Sequence, residues 1–165
     1  MKILIIDDDQ LTSTTWAMGL KSAGFEVINA TNGQDGINQA KSQKPDIILL
    51  DQIMPDMLGN VVLQNLKLDP ETNPIPVMLI SNYNESQMMK EAIAQGAVDY
   101  ILKYQIETKD LIDKVQSLLN QIGKDASTQT TPPTQSSIAT PEQIATPASP
   151  ASSDTPGDID STGSA

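Results

Sequence analysis

Five short apolar runs alternate with longer polar stretches between Met1 and Gly123. Each run is rich in isoleucine, leucine or valine, and the runs cover residues 2–6, 25–30, 47–50, 77–80 and 98–102. Short continuous runs of this kind are typical of strands that are buried on both faces of a sheet. Because the intervening stretches have helical spacing, the pattern predicts an α/β fold in which crossover helices join parallel strands.

Local signals mark the start of the first two helices and the end of the third. Asp9 is placed to cap the first helix, because an aspartate carboxylate accepts hydrogen bonds from the free amides of a first turn. Asn32 and Asp35 have the spacing of a capping box for the second helix. Pro70 is expected to end the third helix, predicted over residues 60–68, since proline lacks the amide that a helix interior needs.

The last two helices are also marked at both ends. Asn84 and Gln87 have capping-box spacing for a fourth helix that ends near Gly96. Thr108 is expected to cap the fifth helix, and Gly123 is expected to end it.

The composition changes after Gly123. Residues 124–165 are mostly threonine, serine, proline, glutamine and alanine, with few large apolar side chains. A segment of this composition cannot bury enough apolar surface to offset the entropy lost on ordering. The sequence therefore predicts one folded domain over residues 1–123 and a disordered, Ser/Thr/Pro-rich acidic tail over residues 124–165.

The composition excludes several classes of chemistry and of partner. The chain has 21 acidic and 10 basic residues, a net charge of -11, no histidine and no cysteine. All of the basic residues are lysine, so no arginine fork can bind phosphates or bases, and nucleic acid is not expected as a partner. Histidine catalysis, disulfides and thiolate zinc sites are excluded too.

No apolar run approaches the roughly 20 residues that span a bilayer, so we expect no membrane insertion and a cytoplasmic protein.

Polar side chains follow four of the five predicted strands at their carboxyl ends. They are Asp7, Asp8 and Asp9 after the first strand, Asp51 after the third, Ser81 after the fourth and Lys103 after the fifth. In an open parallel sheet these ends converge, so the side chains are expected to share a small space. Clustered carboxylates repel one another unless a cation lies among them, and a site with few oxygen ligands suits Mg²⁺. Mg²⁺ and a lysine together are suited to neutralising a phosphoryl group during transfer.

Residues 1–121 resemble the receiver domain of two-component response regulators, of the single-domain, chemotaxis-regulator-like kind. Four motifs carry the resemblance: an apolar strand with an acidic pair, a D-x-x-M-P-x-x-x-G signature, a hydroxyl turn and a strand that ends in lysine. They are ILIIDDD at residues 3–9, LDQIMPDMLG at 50–59, ISN at 80–82 and GAVDYILK at 96–103. The resemblance implies a doubly wound, five-stranded parallel sheet with the flavodoxin-like (βα)5 receiver fold.

The resemblance also implies how phosphate and metal are bound. Asp51 would be the phosphoacceptor. Asp8, Asp51 and the backbone carbonyl of Ile53 would bind Mg²⁺ directly, and Asp7 would act through water. Lys103 would pair with the oxygens of the acyl phosphate.

A hydroxyl, an aromatic ring and two flanking side chains complete the implied site. Ser81 would hydrogen-bond the acyl phosphate, and Tyr100 would be the switch residue that swings inward when Ser81 is pulled toward the site. Ile53 and Tyr83 take the two positions that flank the approach of the hydrolytic water. Because neither of them is an amide or an acid, we expect slow loss of the phosphoryl group.

The implied function is phosphorelay signalling. The chain would accept a phosphoryl group from a histidine kinase or a phosphotransfer protein and would then bind a downstream protein target. It would assist only its own phosphorylation and dephosphorylation, so it is not expected to be an enzyme.

No DNA-binding output domain is expected. The absence of arginine argues against the salt-bridged dimers of DNA-binding regulators, so we expect a monomer or a weak dimer.

The residue after Lys103 departs from the family pattern. Receivers usually have a proline in a cis peptide there, whereas this chain has Tyr104. A cis peptide before a residue other than proline costs about 2.5–4 kcal/mol. We therefore expect a trans peptide and an altered loop before the last helix.

Two alternatives give the acidic residues different roles. The run from Asp7 to Asp9 also fits the D-x-D motif of haloacid dehalogenase-like phosphatases, with Asp7 as nucleophile. That family needs a further acidic pair after the lysine and gives Asp51 no role. A pseudo-receiver would bind its partner without phosphorylation, and the intact set of site residues argues against it.

Overall fold

The computed structural model describes residues 1–84 and 86–125. Its strands are β1 (Lys2–Ile6), β2 (Glu26–Ala30), β3 (Ile47–Asp51), β4 (Val77–Ser81) and β5 (Asp99–Leu102). Its α-helices are α1 (Gln10–Ser22), α2 (Gly33–Gln43), α3 (Gly59–Leu68), α4 (Ser86–Ala94) and α5 (Thr108–Asp125). A short 3-10 helix at Lys103–Gln105 follows β5. Strands and helices alternate along the chain, as the apolar pattern predicts.

The strands form one parallel sheet in the order β2-β1-β3-β4-β5. The direction of winding reverses between β1 and β3, which is the switch point where doubly wound sheets bind their ligands. The register places Asp51 at the end of β3 beside Ile80, and Ser81 at the end of β4 beside Leu102. The carboxyl ends of the strands therefore lie next to one another, and the predicted fold class is confirmed.

Alternate side chains of the central strands enter two apolar layers. Ile3 and Ile5 of β1 belong to the layer that contains α1 and α5, whereas Leu4 and Ile6 belong to the layer with α2, α3 and α4. β3 and β4 are buried at every position. A strand covered on both faces must be apolar on both faces, which explains the continuous apolar runs in the sequence.

Two predicted helix caps are confirmed. The carboxylate of Asp9 accepts hydrogen bonds from the amides of Leu11 and Thr12 at the start of α1. The side chain of Asn32 accepts a hydrogen bond from the amide of Asp35 at the start of α2.

None of the helices in residues 1–84 and 86–125 is long and apolar enough to cross a membrane.

The predicted ends of α5 are wrong. The helix begins at Thr108, so Thr108 is not its cap, and it continues to Asp125, so Gly123 does not end it. A glycine in a helix costs only about 1 kcal/mol relative to alanine. The packing of the preceding apolar turns against the sheet outweighs a cost of that size.

Two other predictions fall at the edge of the described residues. α4 begins at Ser86, so the capping position is residue 85, which lies outside the described residues, and Asn84 is one residue too early to be the cap. The predicted tail begins inside α5, because residues 124 and 125 are helical. The rest of the tail, residues 126–165, lies outside the described residues.

Candidate functional site

Four of the predicted site residues meet at the carboxyl ends of the strands. They are Asp7 after β1, Asp51 at the end of β3, Ser81 at the end of β4 and Lys103 after β5. The ammonium of Lys103 lies 2.8 Å from Oδ2 of Asp7 and 3.0 Å from Oδ1 of Asp51. Direct ion pairs thus join residues that are far apart in the sequence.

These ion pairs are shielded from water. The exposed fraction of the side chain is 1% for Asp7, 7% for Asp51 and 8% for Lys103. Burial raises the pKa of both carboxyls above their usual range, although the nearby ammonium acts in the opposite direction. Burial acts to lower the pKa of Lys103, but the hydrogen bond to Asp7 and the charge of Asp51 raise it above its usual value. Lys103 therefore stays charged and offsets the burial of the two carboxylates.

Asp8 adds a third carboxylate to the site. Oxygen atoms of Asp7, Asp8 and Asp51 lie within 4.8 Å of one another, and Asp8 is exposed. Oδ1 of Asp7 accepts a hydrogen bond from the Asp9 amide at 2.9 Å, while Oδ2 pairs with Lys103. Carboxylate and carbonyl oxygens are the ligands that Mg²⁺ prefers. The residues present at the site therefore fit a magnesium ion.

The loop after β3 packs tightly against the end of that strand. The amide of Gly59 donates a hydrogen bond to the carbonyl of Gln52 at 2.8 Å. A Cβ atom at Gly59 would overlap the carbonyl oxygen of Asp51 and would lie 2.9 Å from Cα of Gln52. Glycine is therefore required at this end of the signature motif, where the close approach fixes the backbone that carries the Asp51 side chain.

Asp56 connects the same loop to α2, a contact that the sequence analysis missed. Its two carboxylate oxygens accept hydrogen bonds from the amides of Gly33 and Gln34, each at 3.0 Å. Burial acts to raise the pKa of Asp56, but these hydrogen bonds lower it below its usual range. No local spacing reveals such a cap, because the carboxylate and the helix N-terminus come from different elements.

Ser81 and Tyr100 hold the backbone of Tyr83 from both sides. Ser81 is fully buried, and its Oγ accepts a hydrogen bond from the Tyr83 amide at 3.0 Å. The hydroxyl of Tyr100 donates to the carbonyl of Tyr83 at 3.1 Å. Tyr100 is only 8% exposed, so its ring is already turned inward. A single residue of the loop between β4 and α4 is therefore bonded to both predicted switch residues.

A cavity of about 250 Å³ lies beside Asp51. Ser81 and Lys103 line it together with Ile53 and Tyr83. Ile53 is 38% exposed and Tyr83 is 50% exposed, so both side chains reach solvent. The two residues predicted to flank the approach of water thus border the same cavity as the carboxylate that they would protect.

Residues 3–116 match the model of the response regulator receiver domain family. The matched segment is more than half of the chain and contains every site residue described above. The chain belongs to the response regulator receiver domain family. The sequence-based prediction of the family is therefore confirmed.

Individual relatives agree with this assignment. The receiver is 31% identical to protein PilH of Pseudomonas aeruginosa over 118 residues, which cover 72% of this chain and 97% of PilH. It is 33% identical over 120 residues to the DNA-binding dual master transcriptional regulator RpaA of Synechocystis sp., covering 73% of this chain and 49% of RpaA. The chain thus spans about half the length of RpaA.

A solved structure gives the same result for the fold. A CheY-like response regulator receiver domain protein from Methanospirillum hungatei superposes with a TM-score of 0.70 at 26% identity. The superposition covers 75% of this receiver and 97% of that chain.

Receivers act in two-component phosphorelay signalling, interact with histidine kinases or phosphotransfer proteins and bind Mg²⁺ at an acidic pocket. This receiver has an acidic cluster of Asp7, Asp8 and Asp51.

Proposed function

We propose that this receiver accepts a phosphoryl group on Asp51 from a histidine kinase or a phosphotransfer protein, with Mg²⁺, and then binds a downstream protein target. The position of the Asp51 carboxylate carries the proposal. It lies 3.0 Å from the ammonium of Lys103, in one cluster with Asp7 and Asp8, and it lines a cavity. A phosphoryl group bound there would have a positive charge next to its oxygens.

Three donors are assigned to the metal ion. Asp8, Asp51 and the backbone carbonyl of Ile53 would bind Mg²⁺ directly, and Asp7 would contact it through water. The hydrogen bonds of Asp7 agree with an indirect role, because one of its oxygens accepts from the Asp9 amide and the other pairs with Lys103. When bound, Mg²⁺ supplies charge that neutralises phosphoryl oxygens.

Phosphoryl transfer forms one bond at phosphorus and breaks another. A carboxylate oxygen of Asp51 forms the new P–O bond. The P–N bond to the histidine of the donor breaks, and its electron pair leaves with the imidazole nitrogen, which takes a proton from solvent. Lys103 would pair with the phosphoryl oxygens, and the hydroxyl of Ser81 would donate a hydrogen bond to one of them. The chain modifies itself and is not proposed to be an enzyme.

The hydrogen bonds of Tyr83 offer a route from the site to the surface. The Tyr83 amide donates to Ser81, and the Tyr83 carbonyl accepts from Tyr100. When Ser81 turns to a phosphoryl oxygen, the amide loses its acceptor, and the loop is free to move. Because the Tyr100 ring is already inward, the expected change at Tyr100 is in its hydrogen bond to the Tyr83 carbonyl and not an inward swing. The surface next to β5 would then differ between the two states, which gives a protein target a feature to recognise.

A small phosphodonor tests the site without a kinase. We expect phosphoramidate with Mg²⁺ to add one phosphoryl group to the wild-type chain, measured by intact mass, and we expect Asp51→Asn or a chelator to abolish the addition. Asp46→Asn is the matched control, because it makes the same change at the other end of the sheet, where Asp46 accepts from the Lys2 amide. This control should be labelled like the wild type.

The other outcomes separate the alternatives. Wild-type labelling of Asp51→Asn contradicts the assignment. If labelling persists in Asp51→Asn and is lost in Asp7→Asn, Asp7 is the nucleophile, as in a haloacid dehalogenase-like phosphatase. If no variant is labelled and Asp51→Asn binds the partner as the wild type does, the chain is a pseudo-receiver.

A further inference from the structure

Trp16 lies next to the lysine of the site. It is the single tryptophan of the chain, it lies in α1, and it is 5% exposed. The ammonium of Lys103 is 5.9 Å from the centroid of its ring. Trp16 also packs in the apolar layer of α1 and α5 with Leu20, so filling the core is one explanation of its presence.

Core packing does not explain why the ring borders a charged group. Lys103 has a flexible side chain. Both of its ion pairs are with carboxylates of the acidic cluster, those of Asp7 and Asp51. The face of an indole ring attracts a cation within about 6 Å of its centroid, and tryptophan does so better than phenylalanine or tyrosine. Trp16 and Lys103 also line the same surface cavity, of about 440 Å³, at the start of α1. The ring is therefore an uncharged partner for the ammonium.

We propose that Trp16 is a positioning residue for phosphoryl transfer, whose ring keeps the Lys103 ammonium beside Asp51 before the phosphoryl group arrives. The inference rests on the proposed function, because it assigns a task to Trp16 only if Asp51 is phosphorylated. An ammonium that is already in place does not have to be reoriented during transfer, which lowers the barrier to reaction.

Two substitutions separate positioning from packing. Trp16→Leu keeps an apolar side chain but removes the aromatic face, whereas Trp16→Phe keeps a smaller aromatic face. At equal phosphoramidate and Mg²⁺ concentrations, we expect Trp16→Leu to be phosphorylated several-fold more slowly than the wild type and Trp16→Phe to recover most of the rate. Circular dichroism and thermal melting check that both variants are folded at the assay temperature.

A spectroscopic measurement leaves the core unchanged. Because Trp16 is the single tryptophan, the emission of the wild-type chain reports on the surroundings of this ring. We expect the emission to change on phosphorylation, because a negatively charged phosphoryl group is then added beside the Lys103 ammonium. We expect Lys103→Met to alter the emission of the unphosphorylated chain, and Lys103→Arg to restore most of it. These measurements decide the question if Trp16→Leu does not fold.

The outcomes distinguish this inference from the proposed function. If the wild type is not labelled at all, the proposed function fails. If the wild type is labelled and a folded Trp16→Leu is labelled at the same rate, the positioning role is overturned and phosphorylation of Asp51 stands. Emission that is identical in the wild type and in Lys103→Met overturns the positioning role as well.

Discussion

Both ends of the parallel sheet carry a lysine paired with a carboxylate, but only one end buries the pair. At the amino ends of β1 and β2, Nζ of Lys2 lies 3.6 Å from Glu26, and the two side chains are 25% and 66% exposed. At the carboxyl ends, Lys103 pairs with Asp7 and Asp51, and none of these three side chains is more than 8% exposed. Water and salt screen an exposed pair, whereas a buried pair interacts strongly but has lost its hydration.

The difference indicates that the buried charges serve chemistry, whereas the exposed pair at the amino ends adds little to stability. A buried ion pair often stabilises a fold no better than apolar side chains of the same size. Buried groups with shifted pKa values beside a cavity are typical of functional sites. We therefore expect substitutions at the carboxyl ends to change phosphorylation together with stability, and the same substitutions at the amino ends to leave phosphorylation unchanged.

The largest effect is expected for Lys103→Met. This change keeps a long unbranched side chain but leaves two buried carboxylates without their cation. We expect a loss of about 3 kcal/mol in the free energy of unfolding without Mg²⁺. We also expect phosphorylation to be about 100-fold slower, because one charged partner of the phosphoryl oxygens is gone. Urea unfolding and labelling with phosphoramidate measure the two effects.

Lys2→Met is the control for this comparison. It removes a lysine whose partner is largely exposed, so both stability and labelling should match the wild type. An equal loss of stability in the two variants would remove the contrast between the ends of the sheet.

The next effect concerns the glycine behind Asp51. We expect Gly59→Ala to lower the free energy of unfolding by about 2 kcal/mol and to slow phosphorylation, because the added Cβ would overlap the backbone of Asp51. Gly24→Ala is the control at the amino end of β2. Gly24 has φ +91°, and a Cβ added there would meet no atom within 4 Å. Backbone strain at Gly24→Ala should therefore cost stability but leave labelling unchanged.

A smaller effect is expected for the lifetime of the phosphoryl group. The Ile53 side chain offers no hydrogen bond to orient a water molecule, and the half-exposed Tyr83, which is neither an amide nor an acid, lines the same cavity. We expect the double variant Ile53→Asn, Tyr83→Glu to lose phosphate several-fold faster than the wild type. The decay of purified phosphoprotein in Mg²⁺ measures this, and equal or slower decay in the variant would show that these side chains do not set the lifetime.

The smallest effect concerns pH. Burial raises the folded-state pKa of Asp51 above its ordinary value of 3.8, so the protonated form contributes stability below that value and this contribution is lost as pH rises through the folded-state pKa. The amide that replaces the carboxyl in Asp51→Asn cannot ionise. We therefore expect the variant to gain stability relative to the wild type as pH rises from about 4 to 7. Urea unfolding in chelator measures the difference, and a difference that is constant with pH contradicts this account.

The sequence predicted the fold and the composition of the site because both depend on strong local signals. The runs that form β3 and β4 are apolar on both faces, and the polar residues Asp51 and Ser81 stand at their ends. Parallel pairing then brings these ends to one edge of the sheet, so the meeting of Asp7 with Lys103 follows from the topology. The family motifs supplied the roles, which the composition alone leaves open.

The contacts that the sequence did not predict join distant elements. The cap that Asp56 forms on α2, the hydrogen bond of Tyr100 to the Tyr83 carbonyl, and the position of Trp16 beside Lys103 leave no periodic signal. The end of α5 was predicted wrongly for the opposite reason, since a local glycine signal was outweighed by packing. Local sequence patterns therefore predict where helices and strands form. Contacts between distant elements decide which side chains meet and where a helix such as α5 ends.

The most direct test of the central claim is to locate the phosphoryl group on the chain. After incubation with phosphoramidate and Mg²⁺, borohydride reduces an aspartyl phosphate to homoserine, which fragment mass spectrometry assigns to a single position. We expect homoserine at position 51 and none in an unphosphorylated sample. Homoserine at position 7 or 8, with an unmodified Asp51, would contradict it.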